Sequence, residues 1–281
     1  GPEEAELHVL PTLWFRNDWA PWIAHPAEKP LLKQIDGPAG TSAIAAAHAE
    51  LGAYHLYCEG VAPLLFTENS TNHAKLHLDY PDAGPYLKDG INNYVVHGDA
   101  AAVNPAQEGT KAAAHYQISV GAGDAQVVRL RLMRETPKPP AKPFGDFDAV
   151  FEMRRKEADA FYAAIMPAAV NKDEDRARVM RQALAGMLWS KQYFYYDLDR
   201  WLEEHGAGPA VPSAQRRRVR NAEWLHMYND DIISMPDKWE YPWFAAWDLA
   251  FHMLPFMIVD GDFAKEQLDL MLRNDYLHPN G

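Results

Sequence analysis

Hydrophobic residues recur with two different periods along this chain, and the change falls at Pro137-Lys-Pro-Pro-Ala-Lys-Pro143. Upstream the period is two. His115-Tyr-Gln-Ile-Ser-Val120 puts Tyr116, Ile118 and Val120 on one face, and Val128-Arg-Leu-Arg-Leu132 sets aliphatics against Arg129 and Arg131; alternation of this kind marks half-buried antiparallel strands. Short apolar runs at residues 54–58, 63–67 and 94–97, separated by Gly, Pro and Asn turns, extend the pattern and predict a β-sandwich over residues 1–136. Residues 137–146 read as a proline-rich linker.

Downstream the period becomes helical. Phe147, Val150, Phe151, Ala158, Phe161, Tyr162 and Ile165 line one helical face as far as Pro167. A second helix is expected over residues 173–202, carrying Val179, Met180, Ala183, Leu184, Met187 and Leu188, then Phe194, Leu198 and Trp201. A polar, Gly- and Pro-bearing excursion covers residues 205–213. An aromatic helix follows from Pro242, and Asp260-Gly-Asp262 opens a last one through Ala264, Leu268, Met271 and Leu272. The region after Phe144 is thus expected to be almost entirely helical. Successive antiparallel helices suit a helical toroid or a bundle equally, and no internal sequence repeat distinguishes them.

Composition narrows the function classes. With 281 residues, 48% hydrophobic and 12% aromatic, the chain can build two domains with cores and is not a disordered one. A formal charge of -12 disfavours nucleic acid as a partner, since phosphate binding needs a basic surface. The one basic cluster, Arg216-Arg-Arg-Val-Arg220, reads as a solvated loop or rim. A single cysteine, Cys58, excludes an internal disulfide framework and fits a reducing compartment, so a cytoplasmic location is expected. The apolar run from Trp243 to Val259 is short for a membrane span and is interrupted by Asp248, His252 and Pro255, which makes it a buried core helix and leaves no membrane partner.

That same run carries the candidate chemistry. In Ser234-Met-Pro-Asp-Lys-Trp-Glu-Tyr-Pro-Trp-Phe-Ala-Ala-Trp-Asp-Leu-Ala-Phe-His252, large aromatics surround one carboxylate, Asp248. Pro242 pre-sets a first helical turn. After it Asp248 and His252 are the strongly polar side chains, four apart and so on one face. A carboxylate among Phe244, Trp247 and Phe251 is costly to bury unless it is hydrogen-bonded or faces a polar cavity. Aromatic walls plus an acceptor for hydroxyls describe a carbohydrate pocket. His252 reads as a core histidine bonded to a backbone group, and Trp243 divides between sugar platform and core.

The string Pro236 to His252 resembles the bacterial branch of glycoside hydrolase family 63, the processing α-glucosidase and mannosylglycerate hydrolase relatives. The likeness extends to His8-Val-Leu-Pro-Thr-Leu-Trp-Phe-Arg-Asn17, to Lys88-Asp-Gly-Ile-Asn-Asn-Tyr-Val-Val-His97 and to Asp275-Tyr-Leu-His-Pro-Asn-Gly281, covering the chain from near its start to its end. It implies the later strands of a large N-terminal β-sandwich in residues 1–136 and the opening helices of an (α/α)6 toroid in residues 147–281. Relatives of this kind are several hundred residues longer, so an internal fragment or truncated form is expected, with the remainder of its own chain as a missing partner. Gly1-Pro2, which could also remain from a cleaved tag, and the turn signal Pro279-Asn-Gly281 agree with that expectation.

The chemistry the resemblance implies is inverting hydrolysis of an α-glucoside or related α-linked sugar, which needs two carboxyls roughly 6.5 to 9.5 Å apart. It casts Asp248 as a sugar-gripping, catalysis-supporting carboxylate, with Trp243, Phe244 and Trp247 as substrate-binding neighbours and the acid and base on later helices. Asp248 as the general acid, or as a buried Asp that only cross-links helices, are its alternatives. No cofactor or metal is implied. A non-catalytic carbohydrate-binding or scaffold protein, and a trehalase-like or debranching toroid hydrolase, are the competing functions. The 281 residues alone are expected to be inactive and to expose apolar helix faces around Phe256, Met257, Leu268 and Met271.

Weaker constellations complete the reading. His73, His77 and Asp79 lack a strong ligand motif. Gly121-Ala-Gly-Asp124 reads as a hairpin turn, not a phosphate cradle. Glu223, His226, Asp230 and Asp231 rim a cleft or face solvent, and Asn17 and Trp19 are given a packing place but no role.

Overall fold

A computed structural model describes residues 1–20, 26–78, 82–208, 210–216, 219–235, 243–273 and 276–279. The chain divides into two compact units, Gly1–Phe151 and Glu152–Gly281.

The first unit is built from antiparallel strands. In chain order these are β1 (Ala5–Val9), β2 (Thr12–Trp14), β3 (Leu31–Ile35), β4 (Thr41–His48), β5 (Gly52–Glu59), β6 (Leu64–Thr67), helix α1 (Gly90–His97), β7 (Glu108–Gly109), β8 (Lys111–Ala114), β9 (Tyr116–Val120) and β10 (Leu130–Arg134). One sheet runs β10-β5-β4-β3-β7, a second β2-β8-β6, and β1 pairs with β9. Leu32, Ile44, Leu56 and Cys58 of the larger sheet share a core with Leu64, Phe66, Ala112 and Ala114 of the smaller one. The period of two then explains the other face of the small sheet: Leu65 and Ala113 point the opposite way and meet Ile91 of α1. Both faces of that sheet are therefore covered, which is why β6 is buried at every position.

Residues 94–97, expected as a strand, are the last turn of α1. Ile91, Tyr94 and Val95 have helical spacing and lie against the small sheet, so packing overrides the β-preference of Tyr-Val-Val. Gly98 closes the helix with φ 68°, a left-handed cap that suits glycine. At the other end Gly90 is required for space, because a Cβ there would lie 2.1 Å from the Ala102 carbonyl oxygen. Strand β10 begins at Leu130 instead of Val128, and residues 135–146 contain no helix or strand.

Helix α2 (Phe147–Ile165) starts in the first unit and runs into the second. Then come α3 (Ala168–Asn171), α4 (Glu174–Ser190), β11 (Lys191–Asp197), α5 (Leu198–Glu204), α6 (Ser213–Arg216), β12 (Tyr228–Ser234), α7 (Ala246–Val259) and α8 (Gly261–Arg273). Carboxylates cap three of these helices: Asp173 accepts from the Arg176 N–H, Asp197 from Arg200 and Asp260 from Phe263. Asp260 is held below the usual carboxylate range first by that backbone N–H and then by the Lys191 ammonium at 3.0 Å.

The single helix expected over 173–202 is corrected here. It stops at Ser190, and β11 pairs antiparallel with β12 from Lys191↔Ser234 to Asp197↔Tyr228, so the region after Phe144 is not almost entirely helical. Phe194, Leu198 and Trp201 mimic a helical stripe, but Tyr193-Phe-Tyr-Tyr196 is a β-favouring aromatic run whose burial alternates, with Phe194 and Tyr196 inward and Tyr193 and Tyr195 outward. The core of this unit gathers Phe194, Tyr196, Leu198 and Leu202 with Ile233, Met235, Phe244, Leu249, Met253, Phe256 and Phe263. Complete burial of Phe256 is worth about 1.5–3 kcal/mol. It corrects the expectation that Phe256 lies on an exposed face, whereas Met257 and Leu268 are exposed.

Candidate functional site

The candidate site is the start of α7. Pro242 and residues 236–241 lie outside the described residues. Helical geometry begins at Ala246, so Trp243 and Phe244 precede the helix instead of forming its first turn. Phe244 is turned into the core, its ring centroid 4.3 Å from that of Tyr276. The Tyr276 hydroxyl donates to Asp231 Oδ2 at 3.1 Å, and its pKa is pushed up to about 12, first by burial and then by the Asp231 charge. Trp243 is half-buried against the same core, with the Arg220 guanidinium 5.1 Å from its ring centroid. One end of the basic cluster is thus a stacked cation.

Trp247 faces outward, 76% exposed, and meets Phe251 edge-on at 6.0 Å. On the opposite side of α7, Leu249, Met253 and Phe256 are buried. Asp248 lies at the border between the two faces, half-buried, in the first turn, where the positive end of the helix dipole favours a carboxylate. It makes no hydrogen bond or ion pair with the described residues. Such a carboxylate keeps its acceptor oxygens for something outside this set. Of the candidate residues, then, Trp247 and Asp248 sit at an accessible edge, Trp243 is partly covered, and Phe244 is a core residue that supports the edge from within.

His252 is bonded differently from the expected backbone contact. Its Nδ1 lies 2.7 Å from Ser234 Oγ, which lies 2.7 Å from Ser190 Oγ. Neither serine was singled out from sequence: they end α4 and β12, and only the β11–β12 register brings them together.

The weaker constellations fall apart. His73 is buried, with its backbone N–H donating to Asp82 Oδ1 at 2.7 Å; His77 takes a left-handed backbone at φ 55°; Asp79 lies outside the described residues. Among the described residues no group of three or more His, Cys, Asp or Glu side chains is placed to hold a metal ion. Gly121 to Asp124 is a turn closed by the Asp124 N–H on the Gly121 carbonyl. Asp230 accepts from the Tyr193 hydroxyl on the outer face of the ribbon, and His226 Nε2 meets the Leu277 carbonyl at 3.2 Å. In the first unit, the Asn69 amide donates to the Phe15 carbonyl, Thr110 donates to Glu68, and Lys29 pairs with Glu68 at 2.8 Å. Nearby in sequence, Asn17 Oδ1 and Asp18 Oδ1 are buried without a hydrogen-bond partner among the described residues. Cys58 is fully buried and its thiol is pushed up to about 11 by that burial, which makes it a packing residue and a poor nucleophile.

No protein-family model matches the chain. It is similar to a Saccharomyces cerevisiae protein described as uncharacterized protein YMR196W, with 36% identity over 308 aligned positions that cover 99% of this chain. The chain spans 28% of that protein's length. Among the described residues no helix is long and apolar enough to cross a membrane.

Proposed function

We propose that this chain is part of an inverting glycoside hydrolase of the family 63 type, acting on α-glucosides or related α-linked sugars. In this reading the helical unit supplies the opening helices of an (α/α)6 toroid, and the strand-built unit is the later part of its β-sandwich. The observation that carries it is Asp248: a carboxylate in the first turn of a helix, without a hydrogen-bond or ion-pair partner among the described residues and flanked by the outward ring of Trp247. A sugar offers apolar C–H faces to such a ring and hydroxyl donors to such an acceptor. The order of antiparallel strands followed by a largely helical unit supports the same reading.

Asp248 binds and orients the terminal sugar here, while acid and base come from helices beyond this segment. Inverting hydrolysis requires two opposed carboxyls with room for water between them. The 281 residues alone therefore show no turnover of aryl or disaccharide α-glucosides, whereas a form extended through the later helices hydrolyses them with inversion at the anomeric carbon. Sugar binding without turnover in the extended form would favour a carbohydrate-binding protein. Clear turnover by the isolated chain would overturn the assignment of the catalytic pair to later helices.

A further inference from the structure

We infer that Ser190 and Ser234 form a relay that fixes the ring tautomer of His252 and leaves its Nε2 as a second hydrogen-bond acceptor beside Asp248, so that the site takes two neighbouring ring hydroxyls of a sugar as a donor pair. The hydroxyl-pair assignment rests on the carbohydrate reading above; the relay does not.

The direction of each hydrogen bond follows from counting protons. Ser190 is the last residue of α4, where the Lys191 N–H turns to the Leu188 carbonyl and so does not serve Met187. The Ser190 hydroxyl donates to the Met187 carbonyl at 2.7 Å. A hydroxyl has one proton, so in the 2.7 Å contact between the two serines Ser234 is the donor and Ser190 the acceptor. Ser234 then has no proton left for His252, and their 2.7 Å contact requires that the imidazole donate from Nδ1. A neutral imidazole carries one N–H. In the neutral ring Nε2 is therefore the unprotonated acceptor.

Two features keep the relay in place. Ser234 is fully buried, so its hydroxyl is not exchanged for water. The Met235 N–H also donates to the Ser190 carbonyl at 2.9 Å, fastening the end of α4 to the end of β12. His252 Nε2 makes no hydrogen bond with the described residues. Asp248 and His252 are four residues apart in α7 and so share one face of the helix. Residues four apart have Cβ atoms about 5–6 Å from each other, a spacing that two acceptors can share over adjacent hydroxyls. Ser190 and Ser234 are positioning residues; His252 and Asp248 are the groups that would touch the ligand.

The test is a long-range 1H–15N correlation spectrum of the 15N-labelled 281-residue chain at pH 8, with the His252 signals assigned by their loss in His252→Gln. The wild type is expected to show a protonated Nδ1 and an unprotonated Nε2. Ser190→Ala, which removes a hydroxyl bonded to Met187 and Ser234, frees the Ser234 hydroxyl to donate and should move more than half of the population to the Nε2–H tautomer. Ser234→Thr should keep the wild-type pattern. An Nε2–H tautomer or an imidazolium in the wild type, or a tautomer unmoved by Ser190→Ala, would overturn the relay, and neither reading depends on the buried Ser234 tolerating alanine. Adding methyl α-D-glucopyranoside should shift Nε2, and deoxy analogues lacking one of a hydroxyl pair should not. A correct tautomer with no response to the sugar would overturn the carbohydrate assignment and leave the relay standing.

Discussion

The strand-built unit and the helical unit treat their apolar surface differently. In the first, the smaller sheet has the larger sheet on one face and α1 on the other, so alternate residues of β6 and β8 are buried in opposite directions. In the second, α7 buries Leu249, Met253 and Phe256 yet presents Trp247, Phe251, Leu254 and Ile258 outward, at 46 to 76% exposure. Those four positions follow helical spacing, so the exposed residues form one stripe. A helix apolar on both faces is normally enclosed by further structure. The contrast supports the proposal that additional helices pack on α7, and it places Asp248 and His252 on the seam between a finished core and an uncovered face.

The core side of this comparison should be equally costly to break in either unit. Phe66→Ala and Phe256→Ala each remove a fully buried ring, and each is expected to destabilise by about 3–5 kcal/mol in urea unfolding. A loss under ~1 kcal/mol for Phe256→Ala alone would mean that the helical core is not formed as described.

A tight backbone approach gives the next effect. A Cβ at Gly109 would lie 2.4 Å from the Thr67 carbonyl oxygen, so Gly109→Ala should cost about 1–3 kcal/mol. Unchanged stability would show that β7 and β6 are not so close.

The exposed stripe predicts the reverse behaviour. Replacing Trp247 and Leu254 by Gln should change unfolding free energy by no more than about 0.5 kcal/mol each. The same changes should lower self-association of the isolated chain in sedimentation velocity. Strong destabilisation would instead assign these side chains to the chain's own core.

The smallest effect is a pH response confined to the strand-built unit. His115 is pulled below the ordinary histidine range first by burial and then by the neighbouring His8, whose Nδ1 lies 2.7 Å from His115 Nε2. The unfolded chain therefore binds the proton more readily. Stability from this group is fully present above the ordinary value of about 6.5 and is lost as pH falls through the lower folded value. Urea midpoints at pH 8 and pH 5 should differ less in His115→Asn than in the wild type, and an identical difference would remove His115 as a cause.

Much of this was legible in the residues. Period-two alternation marked β9 and β10, short apolar runs marked β5 and β6, and the helical stripe of α2 ended where expected before Pro167. The change of period near residue 137 fell between β10 and α2, although α1 lies before it and the β11–β12 ribbon after it. Strand β4 escaped notice because Thr41-Ser-Ala-Ile-Ala-Ala-Ala-His48 is rich in alanine, a helix former, and only packing against Leu56 and Phe66 makes small residues useful there. The β11–β12 ribbon was hidden because Phe194, Leu198 and Trp201 fit a helix by spacing. At the site, Asp248 and Trp247 stood out as a lone acid in an aromatic run. Ser190 and Ser234 did not, since a hydrogen-bond relay between elements leaves no local pattern.

The claim that Asp248 is a sugar-gripping carboxylate is tested most directly by calorimetric titration of the 281-residue chain and its Asp248→Asn variant with methyl α-D-glucopyranoside. Losing a hydrogen bond to a charged acceptor is worth about 1.5–3 kcal/mol, which corresponds to roughly 10- to 100-fold in affinity. The account predicts measurable binding by the wild type, weakened by that factor in Asp248→Asn with an unchanged melting temperature. Equal binding by both proteins, or a large loss of stability in the variant with binding intact, would contradict it.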